Sequence, residues 1–172
     1  LYSFDLVQKR AKRPAGAPDK SLARPVTKVG IVGAGLMASQ LALLFVRRLE
    51  VPVVLTDLDQ ERVDKGVGYV HAEIDKLLAK GRLSQDRANR HKGLVTGAVD
   101  KGRAFADADF VIEAVFEEMG VKKAAFADVE KAVSAQCVLA ANTSSLSITE
   151  MAAALQPPAR AVGDRCFKTE AA

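Results

Sequence analysis

A parallel, doubly wound α/β sheet is the fold this sequence predicts, and three observations predict it. Short apolar runs alternate with helical stretches from Thr27 onward. The first run is followed by a glycine-rich turn that opens a helix, and the second ends in Asp57, 24 residues after Gly33. Strands alternating with helices at this spacing favour a parallel sheet. Right-handed crossovers then set the ligand crevice at the carboxyl ends of the strands.

Each element follows from local chemistry. The run KVGIV is a short apolar strand, and Leu36 to about Arg48 is the helix behind the glycine turn. Pro52 opens a second strand, VPVVLTD. A long amphipathic helix comes next, with Val63, Val67, Val70, Ile74, Leu77 and Leu78 at helical spacing, Asp59 as N-cap and Gly81 as its stop. That stripe is read as core, although its rhythm would also suit a partner helix. A shorter helix spans Gln85 to Lys92 with Ser84 as cap, and LVTGA and ADFVIEAV read as strands. Val121, Ala125, Val129 and Val133 mark the next helix, and CVLAAN a strand ending in the polar turn Asn142-Thr143-Ser144-Ser145. Ser147 and Glu150 form a capping box for a helix that Pro157 stops, and RAVG closes the series.

Composition narrows the class. The chain has 172 residues, 49% hydrophobic and 27% charged, which fits one globular domain with a sizeable core. Its longest apolar run, Leu41 to Val46, is too short to cross a bilayer. The net charge of +4 is uneven. Residues 1–28 hold Lys9, Arg10, Lys12, Arg13, Lys20, Arg24 and Lys28 against Asp5 and Asp19, while the other 144 residues carry 18 basic and 19 acidic side chains. The basic character thus belongs to a tail, and with no tryptophan and few aromatics a nucleic-acid face is not expected. Residues 9–26, rich in proline and charge, have linker composition, so residues 1–26 are read as a linker from an upstream domain and 27–172 as the domain itself. Cys137 and Cys166 form neither a disulfide framework nor a zinc motif, which suits a reducing, cytoplasmic setting. His71 and His91 lack a second ligand at metal spacing and are read as surface or packing residues.

The turn Gly33-Ala34-Gly35-Leu36-Met37-Ala38 carries the strongest chemical signal. Gly33 permits a tight turn, Gly35 lets the backbone approach a pyrophosphate, and Ala38 takes the place of the usual third glycine; together they read as a Rossmann-type dinucleotide turn. The helix start adds N–H groups and the positive end of the dipole. Asp57 can accept from both adenosine ribose hydroxyls and would repel a 2′-phosphate. No arginine follows it at once, so NAD is expected over NADP. Glu113 and Glu117 flank the end of ADFVIEAVFE; one of them suits a solvated strand end, whereas Ala114 to Glu117 would lie over the nicotinamide half. Asn142 to Ser145 are types that turns and caps already favour, yet their hydroxyls at the crevice could hold a substrate oxygen.

GAGLMA, the strand ending in Asp57, VIEAVFE, NTSSLSIT and RAVG, in that order, resemble the NAD-binding domain of 3-hydroxyacyl-CoA dehydrogenases over about residues 27–163. The linker KRAKRPAGAPDK resembles the segment joining an enoyl-CoA hydratase domain to the dehydrogenase in multifunctional fatty-acid oxidation proteins. The resemblance implies that Gly33, Gly35, Leu36 and Met37 line the pyrophosphate and adenosine side and that Asp57 holds the ribose. It assigns Ala114, Val115, Phe116, Glu117, Lys122 and Asn142 to NAD as well. It sets Ser144 beside the nicotinamide and the C3 oxygen of an acyl-CoA substrate. The family's general base is a histidine 21 residues after that serine. Arg165 stands there, in Gly163-Asp164-Arg165-Cys166-Phe167-Lys168, and a guanidinium cannot act as a base. So abrupt a departure has the pattern of truncation or an altered reading frame, with the C-terminal helical domain absent. The expected function is NAD binding with little or no turnover of (S)-3-hydroxyacyl-CoA; a non-catalytic NAD-binding or interaction module, or another hydroxy-acid dehydrogenase, are the alternatives.

Overall fold

The computed structural model describes residues 19–164. Six strands form one sheet: β1 (Val29–Val32), β2 (Val53–Thr56), β3 (Val95–Ala98), β4 (Phe110–Glu113), β5 (Val138–Asn142) and β6 (Ala161–Asp164). Their order is β3-β2-β1-β4-β5-β6 and every pairing is parallel. The chain therefore winds outward from β1 in one direction, crosses to β4, and winds outward in the other. The switch lies between β1 and β4, where an open parallel sheet leaves its crevice.

The strands are near-continuous apolar runs because both faces are covered. Alternation sends Val29, Ile31, Val53 and Leu55 to one face and Val32, Val54 and Val111 to the other. On the first face lie α1 (Leu36–Leu49), α2 (Gln60–Ala79) and α3 (Gln85–Leu94). Leu41, Val46, Val70, Ile74 and Ala88 pack there, so the stripe of α2 is core. On the second face lie α4 (Lys101–Phe105), α5 (Met119–Ala132) and α6 (Ile148–Ala152), burying Phe105, Phe126, Val129 and Met151. Gly30 faces Phe105, whose ring would stand 2.5 Å from any added Cβ, so α4 closes down on β1 only because that strand residue has no side chain.

The caps match the sequence. Asp59 accepts from Arg62 N, Ser84 from Arg87 N and Ser147 from Glu150 N, and Gly81 takes φ +67° just past α2. Three details differ from expectation. The helix α4 was not evident, being a single turn of five residues containing Gly102, capped by Asp100 and too short to show a period. Helix α6 ends at Ala152, well before Pro157, and a one-turn 3-10 segment at Pro158–Arg160 leads into β6. The buried face of α5 is Lys122, Ala125, Phe126 and Val129, rotated from the valine stripe so that Val121 turns outward and a lysine goes in. Among the described residues no helix is long and apolar enough to cross a membrane. Cys137 is buried, and desolvation pushes its thiol up to about 11, which makes it an inert core residue. Cys166 and Arg165 lie outside the described residues.

Candidate functional site

At the end of β1 the chain must turn sharply, and Gly33 does this at φ +107°, with its N–H donating to Thr56 O at 2.7 Å. A Cβ there would stand 2.9 Å from Ala114 O, so neither the backbone angle nor the space admits a side chain. Gly35 has the opposite character. It is exposed, its φ is −71°, and an added Cβ would meet nothing within 4 Å. Its smallness is not needed by the protein's own packing; it leaves bare backbone facing the crevice. As N-cap of α1 it brings no side chain to the helix end, so the first-turn N–H groups are available to an anion.

Beside this turn Asp57 Oδ2 accepts from Ala34 N at 2.7 Å and Oδ1 accepts from Leu58 N at 2.7 Å. The carboxylate is thereby fixed at the mouth of β2. Two small residues bring α2 close behind it. Gly66 packs so tightly that a Cβ would come within 2.7 Å of Ala34 O, and the Ser39 hydroxyl donates to Gly35 O at 3.0 Å and reaches Gly66 O at 3.3 Å. Sequence reasoning missed Gly66, which sits inside a helical pattern where a glycine is itself the signal of close approach. It also missed Arg62. Five residues after Asp57, in the first turn of α2, its Nη1 lies 3.7 Å from Asp57 Oδ1 and its Nε 3.3 Å from Asp59 Oδ2.

Across the switch point the ends of β4 and β5 are tied by side chains. Lys122 and Glu113 are fully buried, and the ammonium donates to both Glu113 oxygens, at 2.7 and 2.8 Å, and to Asn142 O at 2.9 Å. Glu117 Oε2 lies 3.4 Å from the same nitrogen. Burial pushes the Glu113 carboxyl up from its usual range, against the pull of Lys122. Glu117, partly exposed beyond the strand end, behaves in the other way. Its Oε1 accepts from the Thr143 hydroxyl at 2.5 Å, from Ser144 N at 3.1 Å and from the Ser145 hydroxyl at 3.4 Å. The Thr143 bond foremost holds its pKa down to about 2, with the Ser144 N–H and Lys122 assisting. Of the two glutamates, then, the one within the strand braces the fold and the later one is partly exposed, holding the Thr143–Ser145 turn.

The glycine turn and the stretch that follows β4 open on one cavity of about 610 Å³, bounded by Gly33, Gly35, Met37, Asp57, Ala114 and Phe116. Leu36, Val115 and Val121 also line it. Phe116 is 86% exposed at its rim and Leu58 78%, large apolar surfaces of the kind that ligands and partners cover. Of the sequence-predicted residues, Gly33, Gly35, Leu36, Met37, Asp57, Ala114, Val115 and Phe116 line this cavity. Glu117, Asn142 and Ser144 gather at the ends of β4 and β5 and are not among the residues that line it. Lys122 stands behind them with its ammonium turned inward.

The donor set suits a dinucleotide. A bare glycine cradle and a helix start face one side, the Asp57 carboxylate stands next to them, and an apolar wall from Ala114 to Phe116 follows. Comparison with known proteins decides the family: residues 28–168 match the model described as 3-hydroxyacyl-CoA dehydrogenase, NAD binding domain. The chain belongs to that family. Among relatives of this NAD-binding domain, the peroxisomal fatty acid beta-oxidation multifunctional protein MFP2 of Arabidopsis thaliana is 33% identical over 97% of this chain and 23% of its own length. The fatty acid oxidation complex subunit alpha of Shewanella amazonensis is 32% identical over 97% of this chain and 23% of its own length. The crystal structure of 3-hydroxybutyryl-CoA dehydrogenase from Escherichia coli superposes with a TM-score of 0.79 at 31% identity, covering 83% of this chain and 30% of that one. The chain thus spans less than a quarter of the length of these curated relatives, and the cofactor of its family is NAD.

Proposed function

We propose that this chain is the NAD-binding part of a dehydrogenase that converts (S)-3-hydroxyacyl-CoA to 3-ketoacyl-CoA in fatty-acid β-oxidation. The observation that carries the reading is one crevice in which the bare Gly33–Gly35 turn and Asp57 face the wall Ala114 to Phe116; the Glu117–Ser144 cluster follows directly on that wall in the chain. NAD, when bound, supplies the acceptor for the hydride leaving C3. The first-turn N–H groups of α1 hold the pyrophosphate, and Asp57 holds the adenosine ribose. The wall Ala114 to Phe116 excludes water beside the nicotinamide. Glu117 fixes the Ser144 turn through the Ser144 N–H, and the Ser144 hydroxyl orients the C3 oxygen of the acyl-CoA. Lys122 acts from behind, holding Glu117 and the Asn142 carbonyl; it positions rather than touches.

The hydroxyl proton needs a base, and Arg165 cannot supply one. The chain by itself therefore binds the cofactor and turns over little substrate. That same arginine favours, as a second reading, an NAD-binding module without catalysis. Residues 1–26 join it to an upstream enoyl-CoA hydratase domain, and the reducing cytosol suits its buried thiol. Titration of the purified chain with NADH and NADPH, followed by nicotinamide fluorescence, tests the reading. Saturable NADH binding tighter than NADPH is expected; binding of neither would sink it. Acetoacetyl-CoA-dependent NADH oxidation at rates typical of an intact dehydrogenase would overturn the prediction of low turnover.

A further inference from the structure

Residues 19–28 precede β1, in the stretch whose composition reads as linker up to residue 26. They are nonetheless seated on the sheet, at the amino ends of the strands, opposite the crevice. Asp109, the residue before β4, makes the first attachment. Its N–H donates to Lys28 O at 3.1 Å, and its Oδ2 accepts from Thr27 N and the Thr27 hydroxyl, both at 2.6 Å, and from Lys28 N at 3.1 Å. Its carbonyl accepts from Val138 N at 2.9 Å, so the same residue also ties the start of β5. Lys28 pairs with Asp107 beside it. The second attachment is Arg24, whose guanidinium donates to Gln136 Oε1 at 2.8 Å and to Gln136 O at 2.9 Å, just ahead of β5. Between the two, Val26 is half-buried against the core of the first face. From β1 the segment thus passes beneath β4 to β5, about 10 Å or two strand spacings across.

A tether needs none of this. An arginine that only kept a linker soluble would leave its guanidinium in water, whereas this one is engaged twice with a residue 112 positions away. The planar fork of donors makes that engagement directional. The Asp109 carboxylate is held below its ordinary range, by the Thr27 hydroxyl foremost and by the Thr27 and Lys28 N–H groups. We propose that residues 19–28 form a clasp: Asp109 and Gln136 grip the incoming chain at two points and hold whatever precedes Asp19 at the end of the sheet away from the crevice. The connecting segment is then fixed from Asp19 onward, and a domain carried by it approaches from the amino ends of β4 and β5, leaving the crevice open. The clasp stands independently of any nucleotide in the crevice.

Amide exchange and limited proteolysis of the purified full chain, with NADH titration as a control on the crevice, test the clasp. The Thr27 and Lys28 amides should exchange about a hundredfold or more slower than in an unstructured peptide, and Asp109→Ala should abolish that protection. Arg24 is exposed, so Arg24→Ala should fold normally. It should leave those two amides protected yet speed chymotryptic cleavage after Leu22 at least tenfold, because a protease needs the chain around the bond to come free. Leu22 is itself 70% exposed, so only the docking of the chain protects it. NADH affinity should stay within twofold of the parent in both variants. Free exchange at Thr27 and Lys28 in the parent overturns the clasp, as does unchanged cleavage in Arg24→Ala. A fall in NADH affinity in step with release would overturn it too, by making the segment a brace for the crevice rather than a holder of the chain before it. The exchange and cleavage readouts decide the matter whether or not the chain binds NADH.

Discussion

At the glycine-turn end of the crevice the protein offers backbone: a glycine turn, a helix start without a side-chain cap, and one carboxylate pinned by two N–H groups. At the ends of β4 and β5 it offers side chains, with Glu113, Lys122, Glu117 and Thr143 linked in sequence from the buried sheet to the surface. The geometry of the first half is set by what cannot be there, above all a Cβ at Gly33, which would meet Ala114 O. The second half joins residues up to 29 apart, Glu113 to Asn142, through one ammonium. Loss of that group should therefore damage the fold, whereas the backbone half should lose ligand binding first.

The largest effect expected is from Lys122→Met. It leaves the Glu113 carboxylate buried without its partner, which costs about 3–5 kcal/mol in comparable cases and should lower Tm by roughly 8–15 °C. Replacing both members, Glu113→Leu/Lys122→Met, should recover at least half of that loss, because a well-packed apolar pair needs no ion. Thermal unfolding followed by circular dichroism checks both. A double variant no more stable than Lys122→Met would show that the ammonium's bond to Asn142 O, not the ion pair, holds the two strand ends together.

The two glycines of the turn sharpen the contrast within the backbone half. Gly33→Ala must adopt φ +107° and press on Ala114 O, costing about 1–3 kcal/mol and weakening NADH binding more than tenfold. Gly35→Ala meets no protein atom, so stability should change by less than about 1 kcal/mol. NADH binding should nonetheless fall at least tenfold, since the new methyl group stands where the pyrophosphate approaches. Urea unfolding beside NADH titration separates the two. Unaltered NADH affinity in Gly35→Ala would mean that the dinucleotide does not cross this turn.

How much of this was legible in the sequence follows the same division. The turn, Asp57, the caps Asp59, Ser84 and Ser147, and the strands all announce themselves through local rules: glycine before a helix, acid after a strand, serine before a periodic run. Lys122 does not. A lysine in a helix reads as solvent-facing, and only its partner on β4, nine residues earlier, explains its burial. Arg62 was hidden for a similar reason. Its place near Asp57 depends on how α2 packs through Gly66 against Ala34, a contact no spacing rule reports. The division of labour between Glu113 and Glu117 was visible as a choice but not as an answer, because the strand's end at Glu113 fixes which of them points inward.

The smallest effect expected concerns Thr143, the outermost link of the side-chain half. Its hydroxyl is the chief reason that the Glu117 pKa lies near 2. A carboxylate whose folded pKa is depressed adds stability above its unfolded pKa, and that contribution fades as pH falls through the window from the ordinary carboxylate range toward about 2. Glu117 is 41% exposed, so the stabilisation itself is modest. Thr143→Val should raise the Glu117 pKa above about 2, read as the midpoint of its side-chain carboxyl shift in a carbon-detected NMR titration. Above about pH 6 both proteins keep Glu117 ionised, so the Ser144 N–H bond and NADH affinity should there differ little. Near pH 4 the variant protonates first and loses its hold on the Ser144 turn while the parent does not. A Glu117 midpoint that stays near 2 in Thr143→Val would shift the credit to the Ser144 N–H and Lys122, and would make the side-chain half, like the backbone half, a site set mainly by backbone and one buried charge.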